Sequence, residues 1–246
     1  MTVYILKGLG IECELECRNI FSALCGQENV KDFWIFDLLD GHWPDQEAGS
    51  LWVLPGGFSF SDHFGAGRLL AFKLKKIGFI ENIIKYKQNV LGICNGFQVL
   101  CHLNVFGEKT RLLKNKQKRF VNKWVDLENT NGNQFRMPVR HGEGCLQGFD
   151  PELGYLKYVD FDNGSQESVA ALKVLKQNSC FLGMMPHPEI AIKSYHMPEF
   201  VGAVYPTHNS ERFSEEKADG YLFLKSFIEE LKTSCRKENE VYDKRI

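Results

Sequence analysis

Gly92-Ile93-Cys94-Asn95-Gly96 sets a thiol between two glycines, after the apolar run Asn89-Val90-Leu91-Gly92-Ile93 and before a helix-like segment that reaches about Leu103. This is the G-x-nucleophile-x-G spacing of a nucleophile elbow, with Cys in the place of Ser. A strand that turns sharply into a helix strains the backbone at the turn, and flanking side chains would obstruct the turn or the substrate, so glycine suits both flanks. The helix that follows would point unpaired N–H groups at the sulfur, favouring thiolate and stabilising an oxyanion once sulfur has added to a carbonyl. A buried structural cysteine is the plainer alternative, and the pentad by itself does not exclude it.

Thiolate catalysis also needs a base and a group that orients the base. Pro186-His187-Pro188-Glu189 supplies both side chains directly after the strand-like Phe181 to Met185, and its prolines restrict the backbone around the histidine. Leu54-Pro55-Gly56-Gly57-Phe58-Ser59 ends another buried-strand pattern. Alone it reads as a tight turn. In a parallel sheet, however, sites gather at the carboxyl ends of strands, where a glycine amide of this turn could join that of Asn95 as an oxyanion-hole donor.

The elements around these segments alternate. Val3 to Leu6 reads as a strand, Cys13 to Leu24 as a helix, Phe33 to Leu39 and Leu51 to Leu54 as buried strands, and Arg68 to Lys87 as a helix interrupted at Gly78. From about Arg119 the runs shorten to Phe120–Leu127, Gln134–Val139, Tyr155–Phe161, Val169–Leu175 and Phe181–Met185, which read as further strands, several of them antiparallel. Residues 193–216 read as a long loop, Tyr221 to Leu231 as a closing helix, and 232–246 as a charged tail that frays. The pattern predicts an α/β fold: a three-layer, mainly parallel open sheet with helices on both faces and added antiparallel strands, as one domain over residues 1–231.

Composition excludes several classes. The 246 residues carry 30 basic and 31 acidic side chains and 43% hydrophobic residues, which fits neither a disordered chain nor a nucleic-acid binder relying on bulk charge. The basic stretch Lys114 to Lys123 reads as a solvated loop, so no nucleic-acid partner is expected. The N-terminal apolar run is too short for a signal peptide and no apolar run reaches 18 residues, so a cytoplasmic chain without membrane contact is expected. None of the eight cysteines forms a C-x-x-C pair. Seven read as packing thiols, Cys13, Cys17 and Cys25 on a helix face among them, and His141 reads as part of a loop near substrate, with no metal site expected. Asn163-Gly164-Ser165 reads as a turn.

LPGGFS at 54–59, GICNGFQVL at 92–100 and PHPE at 186–189 resemble the class I (triad) glutamine amidotransferases, whose fold is flavodoxin-like. The NGFQ of the elbow, Ser61-Asp62, Pro138 to Gly144 (PVRHGEG), Asn163-Gly164-Ser165 and Glu12-Cys13-Glu14 are similar to the glutaminase subunit of phosphoribosylformylglycinamidine synthase, over roughly residues 3–231. The resemblance implies Cys94 as nucleophile, His187 as general acid/base, Glu189 as its orienting carboxylate, Gly57 and Asn95 as oxyanion-hole amides, and Gln98 as a glutamine-binding residue. It implies hydrolysis of glutamine through a Cys thioester, with the ammonia used in purine biosynthesis by a separate ATP-dependent synthetase subunit, together with a small accessory subunit. No cofactor is expected in this chain, ATP and Mg²⁺ belonging to the synthetase; the missing G-x-x-x-x-G-K-[ST] loop agrees. The chain departs from the family pattern at Phe64-Gly65-Ala66-Gly67, at Ile190, and at Asp160 to Ser165. The rival readings are the glutaminase of another amidotransferase complex and an elbow-cysteine stress protein or hydrolase of related fold.

Overall fold

The computed structural model describes residues 1–198 and 217–243, with no side chain described beyond residue 233. Its core is a nine-stranded sheet in the order β2-β1-β3-β4-β11-β10-β9-β6-β7. The strands are β1 Val3–Lys7, β2 Val30–Trp34, β3 Leu51–Leu54, β4 Asn89–Ile93, β6 Val121–Asn129, β7 Gln134–His141, β9 Gly154–Tyr158, β10 Val169–Lys176 and β11 Ser179–Met184. A separate two-stranded ribbon pairs β5 Arg111–Lys114 with β8 Glu143–Gln147. From β2 to β11 all neighbours are parallel, and from β11 to β7 all are antiparallel.

β3, β4 and β11 are buried at every residue, which is why they read as unbroken apolar runs rather than as alternating ones. The helices are α1 Glu14–Cys25, α2 Ile35–Leu39, α3 Arg68–Lys76, α4 Phe79–Lys85, α5 Asn95–His102 and α6 Asp219–Asp243. The crossover through α1 runs from β1 outward to β2, while that through α3 and α4 runs from β3 the other way to β4. Right-handed connections in opposite directions put their helices on opposite faces, giving the three layers expected. Gly78, at φ +68, separates α3 from α4 at the interruption expected there.

Three expectations need correcting. Phe33 to Leu39 is not one strand: β2 ends at Trp34 and α2 follows, burying Ile35 and Leu38 at the i, i+3 spacing of a helix face. The β5–β8 ribbon has no counterpart in the sequence pattern, because its segments are short and β5 is largely exposed. The closing helix is also longer than Tyr221 to Leu231, running from Asp219 to Asp243 through much of the expected tail. Of the loop at 193–216, Ser194–His196 forms a 3₁₀ turn and residues 199–216 lie outside the described residues. No helix among the described residues is long and apolar enough to cross a membrane.

Candidate active site

Cys94 directly follows β4 and caps α5, with φ +50 and ψ −101, a conformation that L side chains rarely adopt. The two glycines make it possible. A Cβ on Gly92 would stand 2.7 Å from the Gly96 carbonyl, and one on Gly96 would stand 2.0 Å from the Leu54 carbonyl oxygen. The elbow thus exists because α5 presses backbone to backbone against the end of β3. Cys94 is anchored by its N–H, which donates to Met184 O at 2.7 Å, and its Sγ donates to Arg140 O at 3.4 Å.

β11 runs parallel beside β4, so its end delivers Pro186 to Glu189 next to the elbow. His187 and Glu189 are 2% and 1% exposed, and His187 Nδ1 meets Glu189 Oε1 at 2.6 Å. Burial alone would depress the imidazole pKa. The Glu189 carboxylate and the Cys94 and Cys13 thiols beside the ring outweigh it and raise His187 well above the ordinary range, so imidazolium is the favoured form. The His187 N–H donates to Pro138 O at 2.9 Å, tying the histidine loop to β7.

The third segment leaves β3. Gly57, at φ +138, lies so close to Gly10 and Glu12 that a Cβ would meet the Gly10 carbonyl oxygen at 2.4 Å. Among the described residues, neither the Gly57 nor the Asn95 N–H donates to a backbone acceptor. The Asn95 side chain joins this loop to the elbow: Oδ1 accepts from Ser59 N–H at 3.1 Å, and Nδ2 donates to Asp62 Oδ1 and Gln98 Oε1, both at 3.0 Å. A cavity of about 200 Å³ opens over these parts, with Gly57, Asp62, Cys94, Gln98, Arg140 and Glu143 in its lining. Gln98 lines it with its amide already engaged, since Nε2 donates to Glu143 O at 2.7 Å. Asp62 is held above the usual carboxylate range by burial, against hydrogen bonds from Gly67 and Asn95.

All six residues singled out in the sequence therefore meet at the carboxyl ends of β3, β4 and β11. Cys13 is the one whose role the sequence pattern misplaces. It is not simply a packing residue of α1: its Sγ and ligand atoms of His187 and Glu189 lie within 4.8 Å of one another. It leaves the loop after β1, a fourth strand end at the site, and that topological position is the signal that could have found it. Cys17, Cys101 and Cys180 are buried thiols as expected, Cys180 pushed up to about 12 by burial, while the side chain of Cys235 lies outside the described residues. His141 ends β7, is buried, lines the cavity, and donates from Nδ1 to Asn115 Oδ1 at 3.0 Å. Asn163 is buried, and its Nδ2 donates to Gly144 O at 2.8 Å, so the Asn163 turn braces the HGEG loop.

Residues 1–217 match the CobB/CobQ-like glutamine amidotransferase domain. The chain belongs to this glutamine amidotransferase family. Among similar proteins, phosphoribosylformylglycinamidine synthase subunit PurQ of Thermotoga maritima is 37% identical over 153 residues, covering 57% of this chain and 69% of the relative. The subunit of the same name from Methanococcus maripaludis is 29% identical over 238 residues, covering 80% and 85%. In the solved structure of PurLQS from Thermotoga maritima, one chain matches with a TM-score of 0.65 and 25% identity, covering 82% of this amidotransferase and 98% of that chain. A putative GMP synthase component from Thermoplasma acidophilum shares the fold, with a TM-score of 0.57 and 12% identity, covering 99% of this amidotransferase and 98% of that chain.

Proposed function

We infer that this amidotransferase is the glutaminase subunit of phosphoribosylformylglycinamidine synthase, and we propose Cys94, His187 and Glu189 as its catalytic triad. The observation that carries the proposal is the meeting of an elbow cysteine and a buried His187–Glu189 hydrogen-bonded pair at adjacent strand ends, with the histidine raised well above its ordinary pKa. Cys94 attacks the side-chain amide carbon of glutamine, and the developing oxyanion takes hydrogen bonds from the Gly57 and Asn95 amides. His187, charged and oriented by Glu189, gives its proton to the departing ammonia, then activates the water that hydrolyses the thioester to glutamate. Asp62, Glu143 and Arg140 all line the cavity and offer charges of both signs for a zwitterionic amino acid.

The ammonia serves a synthetase partner, on which ATP and Mg²⁺ act, with a small accessory subunit completing the complex. Exposed Phe58 and Phe120, whose ring centroids are 6.3 Å apart, line the cavity and suit contact with another protein. We take the compartment to be the cytoplasm, because all seven described cysteines are free thiols. The test is the Cys94→Ala variant in the reconstituted complex. Glutamine-dependent amidation should fall at least about 10³-fold while ammonia-dependent amidation is kept. Survival of the first, or loss of the second, would overturn the assignment.

A further inference from the structure

We propose that Cys13, His187 and Glu189 form a site for a thiolate-seeking divalent cation of the zinc class, and that its occupation switches the glutaminase off. The three residues present one sulfur, one nitrogen and one oxygen ligand atom, all within 4.8 Å of one another. Tetrahedral zinc spaces such atoms about 3.5 Å apart, so closure needs shifts of about an ångström. Glu189 Oε2 is buried and has no hydrogen-bond partner among the described residues, so the cluster holds polar capacity that a cation can satisfy. The charges also balance: one thiolate and one carboxylate neutralise a divalent cation, and no net charge is left buried. Binding releases the Cys13 thiol proton and the extra proton of the His187 imidazolium, leaving a neutral imidazole as ligand.

The cation enters by way of Cys13 rather than through the substrate cavity. Cys13 is partly exposed, the other two ligands are buried, and none of the three lines the cavity that holds Cys94 and Gln98. The cation therefore removes the acid/base without occupying the glutamine pocket. Inhibition should lower kcat and leave KM for glutamine unchanged. The inhibitory half rests on His187 being the base proposed above; the binding half does not.

Cobalt(II) chloride is the probe for binding, added to the reduced, metal-free Cys94→Ala chain, in which Cys13 is kept and the elbow thiol is gone. One equivalent should give a thiolate-to-cobalt charge-transfer band that zinc chloride displaces. The Cys94→Ala/Cys13→Ser chain, checked for an unchanged melting temperature, should lose it. A band that survives Cys13→Ser, or no band in Cys94→Ala, overturns the site. For inhibition, zinc is titrated into the reconstituted complex, each variant being compared with its own metal-free rate. Cys13→Ser should need at least tenfold more zinc for half-inhibition, and equal sensitivity overturns the switch. Should Cys94→Ala keep glutamine-dependent amidation while the cobalt band behaves as expected, the triad falls and the cation site stands.

Discussion

The parallel half of the sheet, β2-β1-β3-β4-β11, and the antiparallel half, β10-β9-β6-β7 with the β5–β8 ribbon, contribute to the site by different physics. The parallel half presents Cys94, His187, Glu189 and the Gly56-Gly57 turn from strand ends whose positions are set by backbone packing. Cβ atoms at Gly92, Gly96 and Gly57 would strike main-chain atoms at 2.7 Å or less. The antiparallel half supplies the wall: the Arg140 carbonyl, His141 and Glu143. That wall is braced by side-chain amides. Asn115 Nδ2 donates to His141 O at 2.8 Å while its Oδ1 accepts from Gly144 N–H at 3.1 Å, and Asn163 holds Gly144 from the other side. Where sterics fix a site, one added methyl should be ruinous; where hydrogen bonds fix it, loss should be graded.

The largest expected effect follows directly. In Gly96→Ala the new methyl meets the Leu54 carbonyl oxygen at 2.0 Å, and neither α5 nor β3 is free to retreat. The cost should reach or exceed about 3 kcal/mol, the upper end of ordinary overpacking, and lower the melting temperature by about 6–12 °C. Gly142→Ala, in the wall, has its nearest neighbour, Phe120 Cδ2, at 3.9 Å and should melt within about 2 °C of the parent. Equal losses would erase the distinction between the halves.

Next comes Glu189→Gln, which keeps the shape of the parallel-half site and removes the carboxylate that counters the burial of His187. Glutamine-dependent kcat should drop about 10²–10⁴-fold, by the logic of neutralising the carboxylate of a triad. Ammonia-dependent amidation and the melting temperature should hardly move. A fall of less than fivefold would mean that Glu189 is not needed to charge the imidazole.

A third test moves to the wall. Burial, with the His187 charge beyond it, pushes His141 down to about 4. Its folded pKa therefore lies below the unfolded value of about 6.5, so the unfolded chain binds the extra proton first. Stability from keeping His141 neutral is whole above pH 6.5 and is lost as the pH falls towards 4, by about 3 kcal/mol across that window. His141→Gln carries no such proton. The gap between the urea midpoints of parent and variant should shrink or reverse from pH 7 to pH 4.5, and parallel curves would show that His141 titrates normally.

The same contrast decides what is legible in the sequence. The parallel half declares itself, because strands buried on both faces are unbroken apolar runs and an elbow demands glycines at fixed offsets, so Cys94, Gly57 and His187 stand out from local pattern. Cys13 does not, because helical spacing with Cys17 and Leu24 is satisfied whether its thiol faces the core or the triad; only the order of strands, which no local window contains, brings the end of β1 to His187. β5 and β8 escape local reading because their register comes from pairing at long range, with Asn115 and Asn163 acting through hydrogen bonds that hydropathy does not encode. Ile35 to Leu39 passes for strand because five residues with four apolar side chains fit either period.

The smallest expected effect separates a bond that fixes the wall from one that merely decorates it. Lys116 and Asp162 form an ion pair whose side chains are each 65% exposed, and water screens such a pair almost completely. Lys116→Ala should leave the melting temperature unchanged within error at both low and high salt. Asp162 has a second task, since its Oδ1 accepts the Gly164 N–H at 2.9 Å within the turn that presents Asn163 to Gly144. Asp162→Ala should therefore show a small but reproducible loss, together with faster amide exchange at Gly164 and Gly144, which Lys116→Ala does not cause. If the two variants behave alike, the turn is held by its backbone rather than by the carboxylate, and the wall is less dependent on side-chain hydrogen bonds than its contrast with the parallel half requires.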